Sequence, residues 1–147
     1  MRLKSTDRAG WKLSGISAPE SVADHIFGVA ILAWLLAPRV EPPLDAARCL
    51  SLSHVHDGLA ALADDDSLAA LWREYDAAES PEARFVKELD KLETVLQAAE
   101  YEQRGDAAPG ALHEFWANAG ARVTSPAARA LLDALRRESA EVRECGS

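Results

Sequence analysis

The chain is poor in sulfur, aromatic residues and β-branched residues. It holds two cysteines and one methionine in 147 residues, and only 6% of its residues are Phe, Trp or Tyr. Cys49 and Cys145 share no CxxC or ligand-like spacing, so neither a disulfide framework nor a thiolate metal site is expected. Both thiols suit a reducing compartment, and a cytoplasmic location is expected. No apolar run reaches the roughly 18 residues of a membrane span. Arg2, Lys4 and Arg8 are not followed directly by an apolar stretch, so the start does not read as a signal peptide. No basic stripe is present and the net charge is −8, which argues against a nucleic-acid duplex as partner. A single nucleotide stays open, because one pocket can be locally positive in an acidic protein. Nothing alternates with period two for long, so no strand is expected.

Alanine and leucine are abundant instead, and they favour helix. A chain of this length buries roughly 70% of its unfolded surface without staples. One domain over 1–147 is therefore expected, with 144–147 as a tail. The fold class is all-α, a compact bundle of about six helices. Residues 1–19, with Gly10, Gly15 and Pro19, read as loop. Ser21 caps a helix carrying Val22, Ile26, Val29, Ala30 and Ala33 on one face, and Pro38 ends it. Glu41-Pro42-Pro43 is a stiff connector. A second helix is expected from Leu44 to Leu62, broken by Asp64-Asp65-Asp66, and a third over Leu68–Ala78. Ser80-Pro81 starts the clearest helix, with Phe85, Leu89, Leu92, Leu96 and Ala99 in register up to Gly105. A fifth follows through His113, Phe115 and Trp116, and Ser125-Pro126 opens the last.

Three of these helices carry metal-ligand side chains near their apolar faces. His56-Asp57 sits late in an apolar helix, where a carboxylate is costly to bury unless something compensates. A metal compensates, and nitrogen and oxygen donors suit Mn, Fe, Co or Mg better than a thiolate-seeking metal. His25 lies about 40° around its helix from Val29, and Asp90 about 40° from Val86. Helical bundles commonly build ligand sites from facing helices in this way. The bland readings are a hydrogen-bonded core histidine, a chance His-Asp pair and a solvated edge aspartate.

The segments PESVADH (Pro19–His25), HVHD (His54–Asp57), FVKELDKLE (Phe85–Glu93) and QAAEY (Gln97–Tyr101) together resemble the HD-domain metal-dependent phosphohydrolases. DRAGW (Asp7–Trp11) looks like the N-terminal Arg-x-Gly-Trp element of their 5′-deoxynucleotidase-like branch. The resemblance runs from about residue 3 to 117. It implies packed helices around one divalent metal ion (Mn, Co, Fe, Mg or Ni), held by His25, His56, Asp57 and Asp90. The metal would polarise a phosphoryl oxygen and supply an activated water. Arg8 and Trp11 match the residues that line the nucleotide pocket, which makes 1–19 a pocket-lining segment; their plain alternative is a surface arginine and a core tryptophan. Only His56 precedes the aspartate, so His54 is expected to be a partly exposed bystander.

Two departures from the family pattern stand out. The branch carries a proton-transferring Glu three residues after the HD aspartate, and this chain has Ala60 there. Loss of such a group typically lowers the rate by roughly 10²–10⁴. Asp65 falls where the family has another pocket acid, so Asp57 and Asp65 are the expected catalytic carboxylates; Asp64–Asp66 otherwise reads as a solvated turn or cap. In addition, only 32 residues lie between Asp57 and Asp90, fewer than the family usually has. A missing segment opens the pocket or exposes apolar surface that a second subunit can cover, so a homodimer is expected. The function implied is release of phosphate from a nucleoside monophosphate or similar small phosphate. The alternatives are an HD metalloenzyme turned to lyase, decarboxylase or oxygenase chemistry, or a degenerate ligand-binding module.

Overall fold

The computed structural model describes residues 2–57, 66–108 and 110–145. Seven α-helices run through them: α1 (Ala9–Leu13), α2 (Val22–Leu36), α3 (Ala46–Val55), α4 (Asp66–Ala77), α5 (Pro81–Arg104), α6 (His113–Arg122) and α7 (Pro126–Cys145). The all-α expectation holds. The helix beyond the expected six is α1. It lies in the N-terminal segment expected to be loop, which also carries a 3-10 turn at Leu3–Ser5. This short helix is held by packing: Trp11 is buried against Tyr101 and Phe115, with ring centroids 5.3 and 4.5 Å apart.

Local chemistry sets most boundaries. Ser21 and Asp24 form a reciprocal capping box at the start of α2, with each side chain accepting from the other's backbone N–H. Asp45 caps α3 by accepting from Ala47 N and Arg48 N, so that helix begins two residues later than expected. It ends at Val55, short of the expected Leu62, and His56 and Asp57 lie in the turn that follows. Residues 58–62 of the expected helix lie outside the described residues. Ser80 caps α5 through Ala83 N, with Pro81 at the first helical position. Gly105, at φ 75°, closes α5 in the left-handed region, where a glycine has no Cβ to clash.

The main core gathers Val29, Leu32, Ala33 and Leu36 of α2, Cys49, Leu52 and Val55 of α3, and Val86, Leu89, Leu92 and Val95 of α5. A smaller cluster joins Trp11, Ile16, Ala98, Tyr101 and Leu112, and Phe115 packs against both. Helix α5 is thus the spine on which α2, α3 and α6 lean. An isolated antiparallel bridge pairs Asp7 with Ser21. It fastens the N-terminal segment beside the start of α2 and so delivers Arg8 to that side of the molecule.

Helix α2 has two apolar sides. Among the described residues, the stretch Val22–Arg39 alone has the length and hydropathy of a membrane span, with mean hydropathy 1.4. Yet α2 itself has 15 residues, about 22 Å, which is short of the roughly 30 Å hydrocarbon core. One side enters the protein core. Phe27, Ile31, Trp34 and Leu35 form the other and stand 68%, 45%, 58% and 50% exposed.

Candidate metal centre

Three of the four expected ligands converge. His25 comes from the first turns of α2, His56 from the residue closing α3, and Asp90 from the middle of α5. One donor atom from each lies within 4.8 Å of the other two. His25 Nε2 is 3.1 Å from His56 Nε2 and 3.2 Å from Asp90 Oδ1. Asp57 stands at the rim: its Oδ1 is 3.8 Å from His56 Nε2, and its side chain is 34% exposed. Asp65 and Ala60 lie outside the described residues. His54 is exposed and donates from Nδ1 to the Leu50 carbonyl at 2.6 Å, in keeping with a bystander.

Hydrogen bonding on the far side of each imidazole decides what the near side offers. His56 Nδ1 donates to the Ser53 carbonyl at 2.5 Å, which leaves the Nε2 lone pair facing the cluster. His25 Nδ1 bonds a carboxylate oxygen of Glu93, which again turns Nε2 inward. Two imidazole lone pairs and a carboxylate oxygen thus meet with only a proton or a cation able to reconcile them. This donor set fits a divalent ion of the Mn, Fe, Co or Mg type. Bonding the other ring nitrogen to carboxylate or carbonyl is how metal-binding histidines are held.

Electrostatics point the same way. Burial disfavours the His25 imidazolium, but hydrogen bonds to Asp90 and Glu93 outweigh it and raise the pKa to about 9. His56 is lowered, chiefly by burial and despite the nearby Asp57. Asp90 falls well below the usual carboxylate range: burial opposes this, while His25 and Lys91 overcome it. Glu93 is raised by burial, against the pull of His25 and Arg8. A proton held between His25 Nε2 and Asp90 keeps the place that a cation takes.

Glu93 is the residue that the sequence reading passed over. It lies inside FVKELDKLE, three residues after Asp90 and on the same side of α5. That i, i+3 relation was the available signal. Gly28 makes its approach possible, since a Cβ there would lie 2.6 Å from Glu93 Oε1 and 2.8 Å from its Cγ. Glu20 completes the surround. It accepts from Arg8 Nη1 and Trp11 Nε1, both at 2.9 Å, and forms a second possible ligand group with His25 and Glu93. Arg8 also donates to Thr94 Oγ1 at 3.2 Å and sits 3.8 Å from Glu93. Arg8 and Trp11 therefore tie the N-terminal segment to the centre. With Asp57, Thr6, Val22 and Phe115 they also border a cavity of about 360 Å³.

The family profile described as "HD domain" matches residues 1–66 and 59–131. This chain belongs to the HD domain family. The 5′-deoxynucleotidase HDDC2 of Danio rerio is 33% identical over 171 residues, covering 95% of this chain and 84% of that protein. The 5′-deoxynucleotidase hdd1 of Schizosaccharomyces pombe is 31% identical, covering 70% of this chain and 69% of that protein. The crystal structure of PH0347 from Pyrococcus horikoshii superposes with a TM-score of 0.72 at 32% identity, over 95% of this chain and 94% of that one. The expected phosphohydrolase class is thereby borne out, and this HD domain is a hydrolase. The family implies a divalent metal, and His25, His56 and Asp90 are placed to hold it. The two profile matches overlap at 59–66, directly after His56-Asp57. The HDDC2 alignment of 171 residues also exceeds the chain's own 147. Both observations agree with a shortened interval before Asp90.

Proposed function

We propose that this HD domain is a metal-dependent nucleotidase that releases phosphate from deoxynucleoside 5′-monophosphates. The observation that carries the reading is the cluster of His25, His56 and Asp90 beside the cavity bordered by Arg8, Trp11 and Asp57. A divalent ion bound there would polarise a phosphoryl oxygen and ease deprotonation of water. Asp57 is the fourth ligand in this reading, with its Oδ1 3.8 Å from His56 Nε2. Glu93 keeps His25 in one tautomer. Arg8 offers its remaining N–H groups to phosphate while Glu20 holds its position, and Trp11 walls the nucleoside side. With alanine at 60, Asp65 serves as the proton-transferring acid. The likeness to 5′-deoxynucleotidases supports the substrate class. The test is phosphate release from the four deoxynucleoside monophosphates with Mn, Co, Fe, Mg or Ni. Release that needs metal and falls in Asp65→Asn is expected; no release with any of the five ions sinks the reading.

A homodimer forms part of this proposal. The four exposed side chains of α2 offer on the order of 400 Å² of apolar surface. A stable two-fold interface takes about 800 Å² per partner, so the stripe would supply its apolar centre. Antiparallel pairing of two α2 helices about Ile31 sets Phe27 against the partner's Trp34 and Leu35. Light scattering should give twice the 15.9 kDa chain mass and half of that for Phe27→Glu/Trp34→Glu. A monomeric wild-type protein refutes the dimer. A cytoplasmic location is likewise proposed, supported by the buried free thiol of Cys49.

A further inference from the structure

A second charged cavity adjoins the metal centre, with Asp90 in its wall. It measures about 430 Å³ and is lined by Arg84, Lys87, Glu88, Asp90, Lys91, Asn118 and Arg122. Four cations thus share one hollow in a protein whose net charge is −8. Three of them, Arg84, Lys87 and Lys91, follow i, i+3, i+7 spacing and share one face of α5. Like charges at such spacings destabilise a helix by a few tenths of a kcal/mol per pair. The helix tolerates this grouping, and Arg122 of α6 adds to it from the facing side.

The two carboxylates of the cavity are already engaged. Glu88 accepts from Thr124 Oγ1 at 2.6 Å, from Thr124 N at 3.1 Å and from Ser125 N at 2.9 Å, where it closes the start of α7. Asp90 Oδ1 faces His25, and Oδ2 accepts from Lys91 Nζ at 2.8 Å. Arg84 spends one nitrogen on the carbonyls of Ala78 and Glu79. Lys87 lies over the Tyr75 ring, 4.5 Å from its centroid. Neither Lys87 nor Arg122 has a carboxylate partner among the described residues. The hollow therefore keeps unspent positive charge and several free N–H donors.

Its position gives that charge a use. Asp90 is both a wall of this cavity and a donor in the metal cluster. Lys91 is bonded to that same carboxylate, so an anion on Lys91 lies next to a phosphoryl group held at the cluster. We propose that this cavity is an anion subsite for a second phosphoryl group, so that nucleoside diphosphates bind more tightly than the monophosphate substrates and compete with them at the centre. The first phosphate sits at the cluster and the second among Lys87, Lys91 and Arg122. This inference rests on the nucleotide reading above and extends it from one phosphate to two.

Calorimetry on the metal-loaded protein tests it, with each of the four deoxynucleosides supplied as its 5′-monophosphate and its 5′-diphosphate. The diphosphate should bind at least tenfold more tightly for any nucleoside that binds, because it adds charge-assisted hydrogen bonds to two or more cations. Lys87→Met/Arg122→Met should erase that advantage and leave monophosphate affinity within about twofold. Raising salt should weaken the diphosphate more steeply than the monophosphate in the wild-type protein, a reading that needs no variant to fold. Equal affinity for mono- and diphosphates overturns the subsite and leaves the nucleotidase reading standing. A diphosphate advantage that survives in the double variant overturns it too. Absence of binding by either nucleotide overturns both.

Discussion

Gly28→Ala tests whether the approach of Glu93 to His25 sustains the metal centre. In an unobstructed helix interior, replacing glycine by alanine stabilises by about 0.5–1 kcal/mol. Here the new Cβ would stand 2.6 Å from Glu93 Oε1, 2.8 Å from Cγ and 3.0 Å from Cδ. Three atoms of one side chain are too close at once, so the carboxylate must leave. Its departure strips His25 Nδ1 of its partner in a site where His25 is fully buried. An unsatisfied buried polar group costs about 1–3 kcal/mol. The loss outweighs the propensity gain, and a net destabilisation of about 1–2 kcal/mol is expected by urea denaturation. Metal affinity, measured by calorimetry, should fall roughly 10–100-fold, as when the hydrogen-bond partner of a ligating histidine is removed. The sign should reverse in a Glu93→Ala background: with the obstructing side chain gone, Gly28→Ala should stabilise by about 0.5–1 kcal/mol. Gly120 is a control. A Cβ there meets only the flexible end of Arg136, so Gly120→Ala should be neutral or mildly stabilising. If Gly28→Ala raises stability and leaves metal affinity unchanged, the positioning role of Glu93 is refuted.

Asp90→Asn should cut metal binding by at least 100-fold, because it removes a charged donor that His25 and Lys91 hold in place; retention of one metal per chain by elemental analysis would contradict the ligand set. Leu89 of α5, fully buried in the main core, should cost about 2–5 kcal/mol when changed to alanine, read as a lower urea midpoint. Cys49 is fully buried, and burial together with Glu82 and Asp45 raises its thiol to about 12. The native protein should therefore resist iodoacetamide at Cys49 at pH 8 and take it up readily in denaturant.

Much of this molecule was legible along the chain because its signals are local. Ser21 and Ser80 announce helix starts through hydrogen bonds made within three residues, Pro81 does so by its fixed φ, and Gly105 ends α5 by a property of its own backbone. His25, His56 and Asp90 stand out because ligand-type side chains sit near apolar helix faces, and the HD pattern joins them. What spacing could not supply was the angle between helices. Asp57 follows His56 directly, yet the end of α3 puts one side chain in the cluster and the other at its rim. Arg8 and Trp11 matched a motif, but only the fold showed Glu20 binding both. Glu93 and Gly28 belong to different helices, 65 residues apart, and each looks ordinary alone. Their meaning arises where α2 and α5 pack, since a missing Cβ on one helix admits a carboxylate from the other. The sequence by itself determined helix, caps and the kinds of ligand; tertiary packing decided which donors meet, because convergence is a relation between elements that no single stretch of chain contains.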